Sequence, residues 1–189
     1  MRLVSYQGPQ GPRVAGVRED RLVDLHAADP AVPHCIKALL AQGPEGLARA
    51  RAALVSGQAI ARESVKLLAP VPRPEKIICA GLNYADHARE TNAQAPAEPI
   101  LFSKFPTAAA ADGDPIVLPR LSVQVDYEAE LVLVIGRGGR YIPESQARQH
   151  IAGYCCGNDV SARDWQLHTP GGVPVKIRSP GTRVATPET

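Results

Sequence analysis

Prolines at positions 70, 72 and 74, in "LAPVPRPEK", bar this stretch from a helix interior and from a central strand, because each locks φ and removes a backbone N–H. The chain is therefore expected to divide here, into a small N-terminal α+β domain over 1–70 and a second unit over 71–189. Ahead of the prolines, "MRLVSYQ", "RVAGV" and "RLVDLH" alternate as short strands, and the "RED" turn joins the last two as a hairpin. "HCIKALLAQG" and "PEGLARARAALVSG" read as helices. The first stops at Gly43; the second has a proline near its start, an Ala/Leu stripe at helical spacing and a glycine just past its end.

Beyond the prolines, "KIICAGLNY" reads as a buried strand running into a turn, and "YADHARET" as a short helix opening after it. "PILFSKF" and "DPIVLP" are expected as strands, and "VDYEAELVLVIG" as a longer one that breaks at "GRGGR". "PESQARQH" offers a helix with proline at its first position. "IAGYCCGNDVSARDW" reads as a strand continuing into a helix, and the Pro-, Gly- and Thr-rich end "HTPGGVPVKIRSPGTRVATPET" as lacking the strands that would close a sheet. No internal repeat is visible.

Composition narrows the class of partner. Hydrophobic residues make up 44 % of the 189, but aromatics only 4 %, so aliphatic side chains must build the core. With 21 basic and 19 acidic residues and no dense basic block, nothing in the charge calls for nucleic acid or an anionic membrane; a small molecule fits better. No apolar run reaches the ~18 residues of a membrane span. Cys35, Cys79, Cys155 and Cys156 form neither a CxxC pair nor a disulfide framework, which points to a reducing, intracellular compartment.

Three clusters could carry chemistry. On an extended strand Asp126, Glu128 and Glu130 share one face, and such like charges are tolerable when a hard divalent cation sits between them. Asp159, at the end of another apolar strand, could bring a third carboxylate to Glu128 and Glu130. Taken alone, the same triplet reads first as the solvated face of an antiparallel strand. His87 and Glu90, at i and i+3 in a short helix, could form a general base with its orienting carboxylate, or an ordinary surface pair. Lys176 could stabilise an enolate or lie in solvent. Arg163 and Gln166, with Asp164 between them, could contact substrate or make a structural ion pair. "GRGGR" lacks a phosphate-loop pattern, and His26, His34, His150 and His168 have no metal-ligand spacing.

The words "GLNYADHARE", "PILFSKF", "GDPIVLP", "VDYEAELVLVIG", "IAGY" and "NDVSARDWQ", in that order between Lys76 and Gln166, resemble the fumarylacetoacetate hydrolase family. "SKF", "ARDWQ" and the small N-terminal part look most like the family's mammalian-type branch of domain-containing proteins. The resemblance implies an α+β, mainly β fold, here an incomplete β-roll with about a hundred residues of family fold lacking a counterpart. It implies Mg²⁺, Mn²⁺ or Ca²⁺ on Glu128, Glu130 and Asp159, catalysis by His87, Glu90 and Lys176, and substrate contacts from Arg163 and Gln166. The implied substrates are small 2-oxo or β-dicarbonyl acids, and the most specific reaction is oxaloacetate keto–enol tautomerisation. It further implies a mitochondrial location, or a cytoplasmic one without a presequence, and a homodimer. The rival expectation is a catalytically silent short form that pairs with a full-length partner.

Overall fold

The computed structural model describes residues 1–168, 179–181 and 184–185. The chain opens on β1 (Arg2–Gly8), β2 (Gly11–Arg18) and β3 (Arg21–Asp24), antiparallel neighbours whose second hairpin closes at Arg18 opposite Arg21. Both hairpins follow the expected alternation. The "LH" that ends the third expected strand instead starts α1 (Leu25–Ala28), because the Asp24 carboxylate accepts the Ala27 N–H and caps a helical turn.

The helices α2 (Ile36–Ala41) and α3 (Gly43–Ser56) stand where the apolar periodicity puts them. Gly43, at φ +62, makes the turn between them in a backbone conformation that side chains resist. In α3, Pro44 sits in the first turn, and Gly46, Ala50 and Ala53 form its buried stripe. That stripe and α2 complete a core of Leu3, Val14, Leu25, Val32, Ile36 and Leu39. Val134 and Ala152, from far along the chain, pack against the same core.

Next come β4 (Ala59–Ala61), β5 (Ile77–Gly81), α4 (Ala85–Glu90), β6 (Ile100–Lys104) and β7 (Ala109–Ala111). After these follow β8 (Val125–Asp126), β9 (Ala129–Ile135), β10 (Ile151–Asn158), β11 (Ser161–Ala162), α5 (Arg163–His168), β12 (Ser179–Gly181) and β13 (Val184–Ala185). Mixed helix and strand is thus the fold class, as expected for part of this kind of domain.

One seven-stranded sheet, in the order β4-β3-β2-β1-β13-β10-β9, joins strands from both sides of the prolines. The segment leading into those prolines lies along β1: Gln7 donates to the Lys66 carbonyl at 2.8 Å, Leu68 to that of Ser5 at 2.8 Å, and buried Ser5 donates its hydroxyl to the Pro70 carbonyl. The division at 70/71 therefore separates stretches of sequence that share one sheet and one core.

Three expected elements take other forms. "DPIVLP" is no strand, since Pro115 and Pro119 cannot donate to a ladder and Val117 and Leu118 are exposed. "PESQARQH" forms 3-10 turns over Glu144–His150; its side chains, exposed up to Gln149, supply no apolar stripe to anchor an α-helix. The end of the chain contributes two short strands after all, β12 parallel to β7 and β13 between β1 and β10. Among the described residues no helix is long and apolar enough to cross a membrane.

Candidate active site

The "VDYEAELVLVIG" stretch is two strands rather than one. It breaks at Tyr127 and Glu128, between β8, which pairs with β11, and β9, which pairs with β10. Antiparallel pairing sets Glu130 opposite Gly157 and Ala129 opposite Asn158. One step further, the Asp159 N–H donates to the Glu128 carbonyl at 2.8 Å, so the two residues stand across from one another. Side chains directly opposite in an antiparallel pair share a face. Glu128, Glu130 and Asp159 consequently belong to one face. Gly157 is required there by close packing: a Cβ at Gly157 would lie 2.7 Å from Val132 Cγ2, nearer than two carbons can approach.

Among the described residues, both Arg163 and Lys104 pair with carboxylates of this face. Arg163, at the start of α5, places its guanidinium 2.7 Å from Glu128 Oε1 and 2.9 Å from Asp126 Oδ2. Burial works against its charge, but these two acids outweigh it and hold Arg163 above the ordinary arginine range. The same guanidinium donates to Gln166 Oε1 at 3.0 Å, and the Ser161 hydroxyl donates to Glu128 Oε1 at 3.2 Å. Lys104, at the end of β6, pairs its ammonium with Asp159, both side chains being buried. Among the described residues no three carboxylate, imidazole or thiol groups converge as a ready-made ligand cage. The donors are nevertheless of the kind a hard divalent ion takes, carboxylate oxygens from two paired strands.

His87 and Glu90 lie on α4, both exposed, and no hydrogen bond joins them; the i,i+3 ion pair of this helix is Asp86 with Arg89. Tyr84 ties α4 to the strand that carries Glu130. Its hydroxyl accepts the Leu131 N–H at 3.0 Å, beside Glu130, one residue before the helix begins. Asp164 turns away from Arg163 and accepts from Ser122 Oγ at 2.7 Å and Val123 N–H at 3.0 Å, contacts that hold its carboxyl below the usual range. Lys176 lies outside the described residues.

The sequence reading passed over Lys104 and Tyr84. For Lys104 a signal was present: it stands two residues from Phe102 on β6, and these two are the less exposed of the strand's alternating positions. A lysine on an inward-facing strand position needs a carboxylate partner. The four cysteines are thiols outside any disulfide, as expected, and burial pushes the Cys155 thiol up to about 11, which makes it inert. His26 and His34 are structural, their rings in edge contact at 6.0 Å while His26 Nδ1 donates to the Val32 carbonyl.

The chain belongs to the fumarylacetoacetate hydrolase family: residues 76–185 match the family model described as Fumarylacetoacetate (FAA) hydrolase C-terminal. It is 44 % identical over 176 residues to the mitochondrial oxaloacetate tautomerase fahd2 of Xenopus laevis, covering 90 % of this chain and 55 % of that protein. The human mitochondrial oxaloacetate tautomerase FAHD2A is 42 % identical over 177 residues, covering 90 % and 56 %. The fold is similar to that of maleylpyruvate hydrolase from Sphingobium sp. SYK-6, solved in complex with manganese(II) ion and pyruvate. There the TM-score is 0.75 at 30 % identity, with 98 % of this chain and 67 % of the other covered. Fumarylacetoacetate hydrolase from Exiguobacterium antarcticum gives a TM-score of 0.77 at 28 % identity, covering 98 % and 66 %. The chain spans about half the length of the curated relatives it matches.

Proposed function

We propose that this chain carries the carboxylate face and the acid–base helix of a divalent-metal-dependent enzyme that acts on a small 2-oxo or β-diketo acid. Its specific reaction is keto–enol tautomerisation of oxaloacetate. The observation that carries this reading is the alignment of Glu128 and Glu130 with Asp159 across the β9–β10 pair. The oxaloacetate tautomerases among the relatives, and the manganese and pyruvate held by the Sphingobium hydrolase, support the choice of ion and substrate class.

Glu128, Glu130 and Asp159 would hold Mg²⁺, Mn²⁺ or Ca²⁺. Bound there, such an ion supplies a hard Lewis acid that polarises a 2-oxo group and disperses the charge of its enolate. Arg163, fixed by Asp126 and Gln166, offers N–H donors that orient a substrate carboxylate. His87 takes the proton from the carbon next to the ketone and returns it to the former carbonyl oxygen, which completes the enol and restores the neutral imidazole, while Glu90 would orient the ring. Atoms are conserved throughout. Lys176 is assigned to the enolate oxygen. The reading extends to an intracellular, mitochondrial setting, after the names of the relatives, and to a homodimer.

The test is the enol-to-keto conversion of oxaloacetate with added Mg²⁺, followed by the loss of enol absorbance. His87→Ala is expected to slow it by about 100-fold, the usual worth of a general base, and Glu128→Ala to abolish its Mg²⁺ dependence. Soluble, folded protein that turns over no oxaloacetate yet forms mixed assemblies with a longer relative would instead establish the silent pairing form. The exposed apolar residues of β9, Leu131, Leu133 and Ile135, favour that second reading.

A further inference from the structure

Side chains alternate across a strand, so the face of β1 to β3 turned away from the helices carries its own apolar cluster, built on Val4, Tyr6, Ala15 and Leu22. The segment after β4 covers this face only in part. It reaches β1 at Lys66 to Leu68, while the 3-10 turn Arg62–Ser64 stands short of it. Between that turn and Asp20, in the hairpin turn of β2 and β3, lies a cleft of about 200 Å³. Val4, Val17 and Leu22, one from each of the three strands, line it together with Asp20, Arg62 and Glu63. Opposite charges around one cleft ordinarily pair with each other. Here they do not: among the described residues Arg62 has one ion pair, with Asp112 outside the cleft, at 3.4 Å and with the two side chains 35 % and 50 % exposed. The carboxylates of Asp20 and Glu63 have no partner among the described residues.

We propose that this cleft is a binding site for a small aliphatic α-amino acid, taken as its zwitterion. The ligand's carboxylate takes the Arg62 guanidinium in place of Asp112, its ammonium lies between Asp20 and Glu63, and its side chain covers Val4, Val17 and Leu22. A planar guanidinium matches a carboxylate, and an ammonium with three N–H donors can serve two carboxylates. The three apolar lining residues are all aliphatic and offer dispersion contact without a ring to stack on, which favours an alkyl side chain over an aromatic one. The volume falls below the roughly 300 Å³ at which pockets for larger ligands begin, so a single amino acid fits and a peptide does not. The exposed Arg62–Asp112 pair is of the kind that contributes little, and a ligand carboxylate displaces it readily. None of the six residues belongs to the carboxylate face, so this site stands independently of any metal there.

The probe is L-leucine, titrated into the 189-residue chain while the methyl resonances of Val4, Val17 and Leu22 are followed by NMR. Saturable shifts of these methyls are expected, with a dissociation constant of about 1 mM, the range open to so small a ligand. Two analogues separate the charges: 4-methylpentanoate lacks the ammonium and 3-methylbutylamine lacks the carboxylate. Each is expected to bind about tenfold more weakly than leucine. Arg62→Met is expected to weaken leucine by about the same factor and to leave 3-methylbutylamine unchanged, since only leucine has a carboxylate to lose its partner. Asp112→Asn, which frees Arg62 without touching the cleft, is expected to tighten leucine by about twofold or more. No saturable shift at about ten times the expected constant overturns the proposal. So does an analogue that binds as tightly as leucine, because one of the two charges is then idle, and so does an Arg62→Met chain that binds leucine undiminished.

Discussion

Asp24 shows how much one side chain can organise in this chain. Its carboxylate accepts two guanidinium N–H groups of Arg13 at 2.8 and 2.7 Å, the Tyr6 hydroxyl, and the Ala27 N–H at 2.8 Å, tying β1, β2 and α1 to one point. Burial alone would raise its pKa, but the Arg13 guanidinium with the Tyr6 and Ala27 donors outweighs burial and holds it below the usual carboxylate range. A carboxyl depressed in the folded state adds stability that is complete above its unfolded pKa of about 4 and is lost as pH falls through the lower folded value. Asp24→Asn is therefore expected to cost roughly 1–3 kcal/mol at neutral pH and to flatten the acid limb of stability below about pH 4. Denaturant melts taken from pH 7 to pH 2 measure both effects. Tyr6 works at the other end of the scale: burial, then the bond to Asp24, pushes its phenol up to about 12. The unfolded chain releases that proton from about pH 10, so stability declines between those two values.

At the scale of elements, one side chain ties α4 to β9. Tyr84 stands at the start of α4 and accepts the Leu131 N–H from β9, so the position of His87 relative to Glu130 depends on that bond. Tyr84→Phe removes an acceptor worth about 1 kcal/mol net. Amide exchange is expected to quicken severalfold over residues 84–91 and at Leu131, with β1 to β3 unchanged; equal protection in the variant would show that α4 is held by other means. Element existence was largely legible from sequence, because apolar alternation and helical spacing are local: β1 to β3, α2, α3, α4 and β6 all stand where the pattern puts them. What local pattern could not reveal was set by partners distant in sequence. The split between β8 and β9 arises because β8 pairs with β11 and β9 with β10, and no property of Tyr127 or Glu128 announces that change of neighbour. Lys104 escaped notice because its partner, Asp159, is 55 residues away.

For the molecule as a whole, the exposed large apolar side chains of the described residues lie after the prolines, Val55 excepted. Leu131, Leu133 and Ile135 of β9 are 47–63 % exposed, and among the described residues β9 has a strand neighbour on one side only. An apolar strand at a sheet edge invites pairing with another chain. Sedimentation velocity on the 189-residue chain is expected to show concentration-dependent association, reduced severalfold by Leu133→Lys, a charge on the outward face of that edge. A monodisperse monomer at all concentrations would refute this. The seven-stranded sheet has a further consequence for how the molecule comes to be made. Residues 184 and 185 lie between the first strand and β10. On a ribosome the opening hairpins can form early, yet the seam that unites them with the carboxylate strands must wait until residue 185 has emerged.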